Sequence, residues 1–396
     1  MGTPHRTSRL PLLALTAALV ASGVLAVPAQ ADAPYETVVD QLRNPRGLDF
    51  SADGKLYVAE GGNGGDVCFE GIDTEEGEPL CAGFTARISR VNTKANTRSD
   101  YITGLVSLGG PLFAIGASGM AVKGNQVFGL MAANAQGVPP ADMCGGGPEC
   151  QQLVAAATTQ LGHLLRGTPS GGWAWKQDVG GFNYDWTVAN KDTIGAGVDG
   201  YQPGWADNPD FEPGDANPYA LAAAPGGTYM VDGGSNTLTF TPQVGQPRVV
   251  AAFPNPPAGP ETPYDSVPTC VAPTAQGVVV ADLSGHVFRV DGSSLTVAPS
   301  DVTSADGAFL GTVGGCDSDG HGNVYISDIF LGSVVKLNLA SMTLSWVRPP
   351  GTLNFPSAVA VGSGGWLYVA NNSVCPSFPT GGPCDGVTGS VVRMRA

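Results

Sequence analysis

The sequence predicts an all-β fold, a six-bladed β-propeller, and three observations carry that reading. One short sentence of residues recurs about six times, its spacing settles in the forties, and a strand without a partner stands at each end of the repeats. The recurring element is a β-branched or aromatic strand that closes on a polar residue. It reads Lys55-Leu-Tyr-Val-Ala-Glu60, Gly227-Thr-Tyr-Met-Val-Asp232, Gly277-Val-Val-Val-Ala-Asp282, Asn323-Val-Tyr-Ile-Ser-Asp328 and Trp366-Leu-Tyr-Val-Ala-Asn371, with a weaker copy at Gln126-Val-Phe-Gly-Leu-Met131 that lacks the polar end. A small residue in an apolar segment precedes each copy: Gly47, Gly119, Ala220, Cys270, Gly315 and Ala358. These anchors fall 72, 101, 50, 45 and 43 residues apart. Short strands, Gly-rich turns and such a period are what radial repetition of four-stranded sheets produces. A β-sandwich is the alternative, but it has no need of a self-similar register.

The chain opens on an address. Arg6 and Arg9 precede an uncharged apolar run from Leu10 to Val27, and Ala29-Gln-Ala31 is a small-x-small cleavage site. Residues 1–31 therefore read as a secretory signal peptide, and residues 32–396 as a single propeller domain that begins near Asp32. No Cys follows the site, which argues against a lipid anchor, and no later run reaches the ~20 apolar residues of a spanning helix. The expectation is a secreted, monomeric protein with no membrane span.

Tyr35-Glu-Thr-Val-Val-Asp-Gln-Leu42 is an isolated strand ahead of the first unit, while the last unit stops one strand short at Val391-Val-Arg-Met-Arg-Ala396. Residues 35–42 are expected to supply the missing outer strand of the sixth blade, antiparallel to residues 390–395, because that pairing removes two free edges.

A third strand follows each copy of the repeat and carries a base at Arg90, Arg166, Arg289, Lys336 and Arg393, with Phe240 in the third unit instead. Two large spacings mark insertions. Residues 132–162 hold Pro139-Pro140, a Cys pair and a helix expected over Glu149–Leu165 from the near-3.6 period of Leu153, Ala156, Ala157, Gln160, Leu161 and Leu164. Residues 181–216 carry Phe182, Tyr184, Trp186, Tyr201, Trp205 and Phe211, too aromatic for a disordered linker, and are expected to pack as a cap.

Eight Cys in an exported chain read as disulfides. Spacing groups Cys68 with Cys81, Cys144 with Cys150 and Cys375 with Cys384. Cys270 and Cys316 remain, on the neighbouring innermost strands of consecutive blades. Zinc is disfavoured, since no CxxC exists and the mature chain keeps only His163, His286 and His321.

Charge excludes one class of partner. Without the leader the chain has 17 basic against 34 acidic residues, which argues against nucleic acid. All insertions fall between second and third strands or between blades, the loops of one face, and elaborated loops on a rigid scaffold are where function concentrates. Glu60, Asp232, Asp282, Asp328 and Asn371 end second strands at that face. Converging oxygen ligands of this kind suit Ca²⁺ or acid–base work, although an Asp at a strand end also commonly satisfies the next turn. Arg46 and Tyr219 flank the Pro that begins an innermost strand and belong near the channel mouth. With Trp186, Tyr201 and Trp205 they are candidates for binding a small aromatic or apolar molecule, or a protein. No serine-hydrolase elbow, P-loop or dinucleotide fingerprint is present.

Asn44-Pro-Arg-Gly-Leu48 with Leu56-Tyr-Val-Ala-Glu60, Leu161-Gly-His-Leu-Leu-Arg166, Asp215-Ala-Asn-Pro-Tyr219, Val231-Asp-Gly-Gly-Ser-Asn236 and Gly315-Cys-Asp-Ser-Asp319 together resemble the ScyD/ScyE family of exported propellers, related to NHL-repeat proteins. The resemblance spans essentially the mature chain and implies six blades. For the members that give the family its name it also implies an export-side step on the indolic–phenolic pigment scytonemin. An enzyme of the six-bladed lactonase or strictosidine-synthase-like kind is the competing expectation.

Overall fold

The computed structural model describes residues 35–73, 79–109, 114–168, 171–190, 214–253, 266–292, 294–297, 303–304, 306–374 and 388–396. The expected leader, Tyr201, Trp205, Phe211, Cys375 and Cys384 lie outside them.

Among the described residues six sheets of four strands or more follow one another along the chain, antiparallel throughout except where the short strand Thr303–Ser304 runs parallel to Thr343–Arg348. Their innermost strands are Pro45–Phe50, Ala117–Lys123, Pro218–Ala224, Pro268–Thr274, Val313–Ser318 and Ala358–Gly362. Each pairs with a second strand that is the recurring element of the sequence, and these strands are nearly continuously buried, as packing on both faces requires. The ring closes as expected. Strand Glu36–Leu42 is the outer strand of the sixth blade, with Glu36 opposite Arg393, Thr37 opposite Val392 and Leu42 opposite Gly389. Val38, Val39 and Leu42 are buried there, and Arg393 holds Glu36 at 2.7–2.9 Å.

The small anchors have a steric cause. A Cβ on Gly47 would stand 2.7 Å from the Ser118 carbonyl of the next blade, so inner strands approach backbone to backbone there. The recurring bases have a local one. Arg90, Arg166, Lys336 and Arg393 lie directly across from Tyr57, Phe128, Tyr325 and Tyr368 of the second strand. Where the third blade carries Phe240, the base moves to the outer strand: Arg248 pairs with Phe240 and lies 5.2 Å from its ring centre.

Helix α1, Pro148–Gln160, is the insertion in the second blade. It is shorter than the expected Glu149–Leu165, because Leu161 is extended and Gly162 turns left-handed, which frees Leu164 and Leu165 for the strand His163–Gly167. Gln160 ties α1 to the first blade, its Oε1 accepting the Val106 N–H at 2.7 Å. The 181–216 segment begins inside a second helix, α2, Val179–Asn190, that periodicity did not reveal.

Among the described residues three disulfides are formed: Cys68–Cys81, Cys144–Cys150 and Cys270–Cys316, the last joining the innermost strands of blades four and five with their Cα atoms 5.2 Å apart. They fit an oxidising compartment. Among the described residues no helix is long and apolar enough to cross a membrane.

Candidate functional site at the channel mouth

Each innermost strand starts on the elaborated face, and five of the six start with a bulge that leaves one residue outside the ladder: Arg46, Ser118, Tyr219, Thr269 and Gly314. Ser357 holds the same place in the sixth blade. Bulges re-aim side chains, and here one residue per blade stands at the same level of the ring, Arg46 and Tyr219 partly exposed and Ser118, Thr269, Gly314 and Ser357 buried. Three of the ring residues clasp the next blade. Ser357 Oγ donates to the Pro45 carbonyl at 2.7 Å, Thr269 Oγ1 to the Val313 carbonyl at 2.7 Å, and Ser118 Oγ to the Pro218 carbonyl at 3.3 Å. Gly314 admits no side chain, since a Cβ would lie 2.7 Å from the Pro356 carbonyl.

The two long members of the ring, Arg46 and Tyr219, stand close enough for the Tyr219 phenol to favour the Arg46 cation. They come from the first and third blades and meet across the short Ser118 of the second. Burial draws the Arg46 guanidinium below its ordinary pKa, and Tyr219 opposes that pull. Arginine keeps its charge under any such shift, so a cation sits at the mouth of a chain that is strongly acidic overall.

The strand-end groups do not converge. Each closes its own turn. Glu60 accepts the Arg43 N–H at 2.8 Å and the Ser89 hydroxyl, with Arg87 at 3.0 Å and Arg98 at 3.4 Å beside it. Asp232 accepts the backbone N–H groups of Asn217, Gly234 and Ser235 at 2.7–3.1 Å. Asp328 takes those of Gly311 and Leu331, and Asn371 takes that of Asn354. Asp282 accepts from Ser284, from His286 N–H and from the His286 ring, whose Nδ1 lies 3.1 Å away. Burial would lower the His286 pKa, but the hydrogen bond and charge of Asp282 outweigh it and raise the imidazole above its ordinary value. Among the described residues no three His, Cys, Asp or Glu form a metal-binding group. Met131, which lacks a polar end, is compensated from the next blade, where Asn217 Oδ1 accepts the Ala133 N–H at 2.9 Å.

Trp186 stands half-buried on α2. The helix is pinned over the third blade by Asn183, which donates to Asp232 at 2.8 Å and accepts from Thr239 at 2.8 Å. One carboxylate thus latches both a blade turn and the cap.

Two carboxylates that the repeat pattern did not single out lie deeper. Asp49 and Asp317 occupy the position three residues beyond the bulge in blades one and five, where the other blades carry Ala121, Ala222, Ala272 and Ala360. Asp49 accepts the Val122 N–H of blade two at 2.6 Å, and Asp317 the Val361 N–H of blade six at 2.8 Å. Burial, then the Asp317 charge, pushes Asp49 up to about 8; burial pushes Asp317 up to about 6. Some of their surface remains uncovered, but on innermost strands that surface meets the confined channel, so desolvation dominates.

No protein-family model matches the sequence, and no curated protein does. Solved structures are similar to it at low identity. A putative oxidoreductase (glucose dehydrogenase) from Thermus thermophilus is 14% identical with a TM-score of 0.48, over 91% of this chain and 99% of that one. A gluconolactonase from Xanthomonas campestris is 13% identical with a TM-score of 0.47, over 94% and 98%. Virginiamycin B lyase from Staphylococcus aureus is 12% identical with a TM-score of 0.43, over 84% and 79%. None of these likenesses bears on what this chain binds or catalyses.

Proposed function

We propose that this is an exported, ScyD/ScyE-like propeller that binds a small molecule at the mouth of its axial channel, with Arg46 and Tyr219 receiving an anionic group of that ligand. The observation that carries the reading is that Arg46 and Tyr219, close to each other, are the partly exposed members of a ring whose other members are buried Ser, Thr or Gly. A guanidinium beside a phenol offers donors in a forked geometry suited to a carboxylate or a similar oxyanion. A few convergent polar groups at a concave opening are the usual make-up of a small-molecule site. The half-buried Trp186 on the adjoining α2 cap fits an aromatic or apolar ligand body. A protein presenting a carboxylate is the other occupant that this mouth fits.

The test is a fluorescence titration of mature protein, residues 32–396, with the aromatic sulfonate 1-anilinonaphthalene-8-sulfonate. Saturable binding is expected, weakened at least about tenfold by Arg46→Gln, in line with the loss of a charge-assisted contact. Tyr219→Phe should weaken it less, since the ring remains. Equal binding by wild type and a folded Arg46→Gln protein contradicts the reading.

The competing reading, a metal-assisted enzyme using Glu60, Asp232, Asp282, Asp328 and Asn371, asks for oxygens that are engaged with backbone and side-chain donors. It predicts bound divalent metal after chelator-free purification and a thermal shift on adding Ca²⁺.

A further inference from the structure

One of the described disulfides faces solvent. Strand Val67–Asp73 follows the second strand of the first blade, on the elaborated face, and pairs with the start of strand Pro79–Asn92. Cys68 stands directly across from Cys81 in that pair, with their Cα atoms 3.9 Å apart, the close spacing of opposed residues in an antiparallel ladder. Successive side chains of a strand point to opposite faces. Phe69 and Leu80 are buried in a core cluster shared with Leu153 and Ala157 of α1. Their neighbours Cys68 and Glu70 are exposed, as is Asp66. The bridge therefore lies over the apolar layer of this hairpin rather than within it. The other two bridges are more covered. Cys270 has no exposed surface, Cys150 is buried on α1, and their partners Cys316 and Cys144 are half-buried. Among the described cysteines Cys68 alone is exposed.

A thiolate has to reach one sulfur of a disulfide to exchange with it, so exposure decides which bridge reacts. Charge then decides which thiol arrives. Asp66 and Glu70 flank Cys68, and the residues across the ladder, 79–83 and 107–109, include no base. The chain as a whole is acidic. Such a field repels an anionic thiol and favours the approach of a cationic one.

We propose that Cys68–Cys81 is a thiol-exchange site for small cationic thiols, and that Cys68 carries the adduct. The attacking thiolate forms a new S–S bond to the Cys68 Sγ. The Cys68–Cys81 bond breaks, and Cys81 leaves as a thiolate that takes a proton from water. The product is a mixed disulfide on Cys68 and a thiol on Cys81, with no net change in oxidation. A second molecule of the thiol attacks the mixed disulfide, leaves as its own oxidised dimer, and completes a two-electron reduction of the bridge. Neither Arg46 nor Tyr219 takes part, so the site stands apart from the channel mouth.

The test treats oxidised mature protein with cysteamine or with 3-mercaptopropionate at low ionic strength. Free thiols are trapped with N-ethylmaleimide at timed intervals, and each bridge is followed by peptide mass spectrometry. Each rate is taken relative to that of the same thiol with 2-hydroxyethyl disulfide, which removes the intrinsic difference between the two thiols. Cysteamine is expected on Cys68, with Cys81 trapped, at least about tenfold faster than Cys144–Cys150 or Cys270–Cys316 opens, because access limits exchange. The relative rate of 3-mercaptopropionate should be at least about threefold lower, and added salt should close that gap. Asp66→Asn combined with Glu70→Gln should close it too, with a melting curve to verify folding. If the three bridges open at like rates, if an inner bridge opens first, or if the adduct forms on Cys81, the assignment of Cys68 is overturned. If both thiols react alike at low salt, the selection by charge is overturned. If folded wild type takes no adduct, the proposal fails outright.

Discussion

Arg46 and Tyr219 lie 173 residues apart in sequence and two blades apart in the ring, and their side chains approach each other at the channel mouth. The contact depends on the blade between them. Ser118 occupies the intervening ring position and turns its hydroxyl to the Pro218 carbonyl, next to Tyr219. A longer residue there would stand between the pair. Ser118→Leu is therefore expected to separate Arg46 from Tyr219 and to weaken anion binding by a margin close to that of Arg46→Gln. Titration with 1-anilinonaphthalene-8-sulfonate, beside a melting curve that verifies folding, checks it.

Closure of the ring makes the N-terminal strand structural. Leu42 has no exposed surface, and Val38 and Val39 are buried against the sixth blade. Leu42→Ala should cost about 2–5 kcal/mol, the usual range for a buried leucine. Arg393→Ala removes a pair whose Glu36 member is half exposed and should cost under about 1 kcal/mol. Removal of residues 32–42 should lead to aggregation through the uncovered edge. Denaturant melts and gel filtration of the three variants order these effects; a truncated protein that melts as wild type would refute the closure's energetic role.

Asp232 is expected to matter for both stability and the cap. Asp232→Ala leaves the N–H groups of Asn217, Gly234 and Ser235 and the amide of Asn183 without their acceptor. A loss of at least about 2 kcal/mol follows from orphaning buried donors. Hydrogen exchange should also show α2 released along with the Asn217 turn. Asn183→Ala should release α2 while leaving that turn protected.

The channel carboxylates give a pH dependence of unusual sign. Asp49 is raised to about 8 and Asp317 to about 6, whereas the unfolded chain ionises near 3.9. The folded state thus holds protons that the unfolded state releases. Their contribution is fully present below about pH 4 and is lost as pH rises, through about 6 for Asp317 and about 8 for Asp49. Calorimetric melting temperatures between pH 5 and 9 should fall with pH, and Asp49→Asn should flatten the upper part of that slope. An unchanged slope in Asp49→Asn would remove the assignment.

The Cys270–Cys316 bond closes a loop of 46 residues across two innermost strands. The chain-entropy relation gives it about 4 kcal/mol. Replacing both by Ser should lower stability by a margin of that order. Mass spectrometry of non-reduced peptides verifies each bridge, and also tests Cys375–Cys384, which lies outside the described residues.

The repeat made the scaffold legible because each blade meets the same constraint. Gly47 and Gly315 are small for the same backbone approach, and Glu60, Asp232, Asp282, Asp328 and Asn371 recur because each blade has a turn to close. That same regularity drew attention to these groups as a shared metal site, whereas they serve their turns one by one. The candidate site lies instead where the blades differ. Arg46, Tyr219 and Gly314 share a register position and no chemistry, and their convergence depends on which blades stand side by side. Asp49 and Asp317 escaped the repeat pattern because four of the six blades carry Ala there. Helix α2 was hidden by Gly180-Gly181 in its first turn and by polar residues on its buried side: Asn183 and Thr187 face inward where a periodic pattern would show apolar ones.

The most direct test of the account is a crystal structure of mature protein with 1-anilinonaphthalene-8-sulfonate. The expected result places the sulfonate within about 3 Å of the Arg46 guanidinium. The contradicting result is a probe bound elsewhere on the propeller while Arg46 and Tyr219 stay undisturbed.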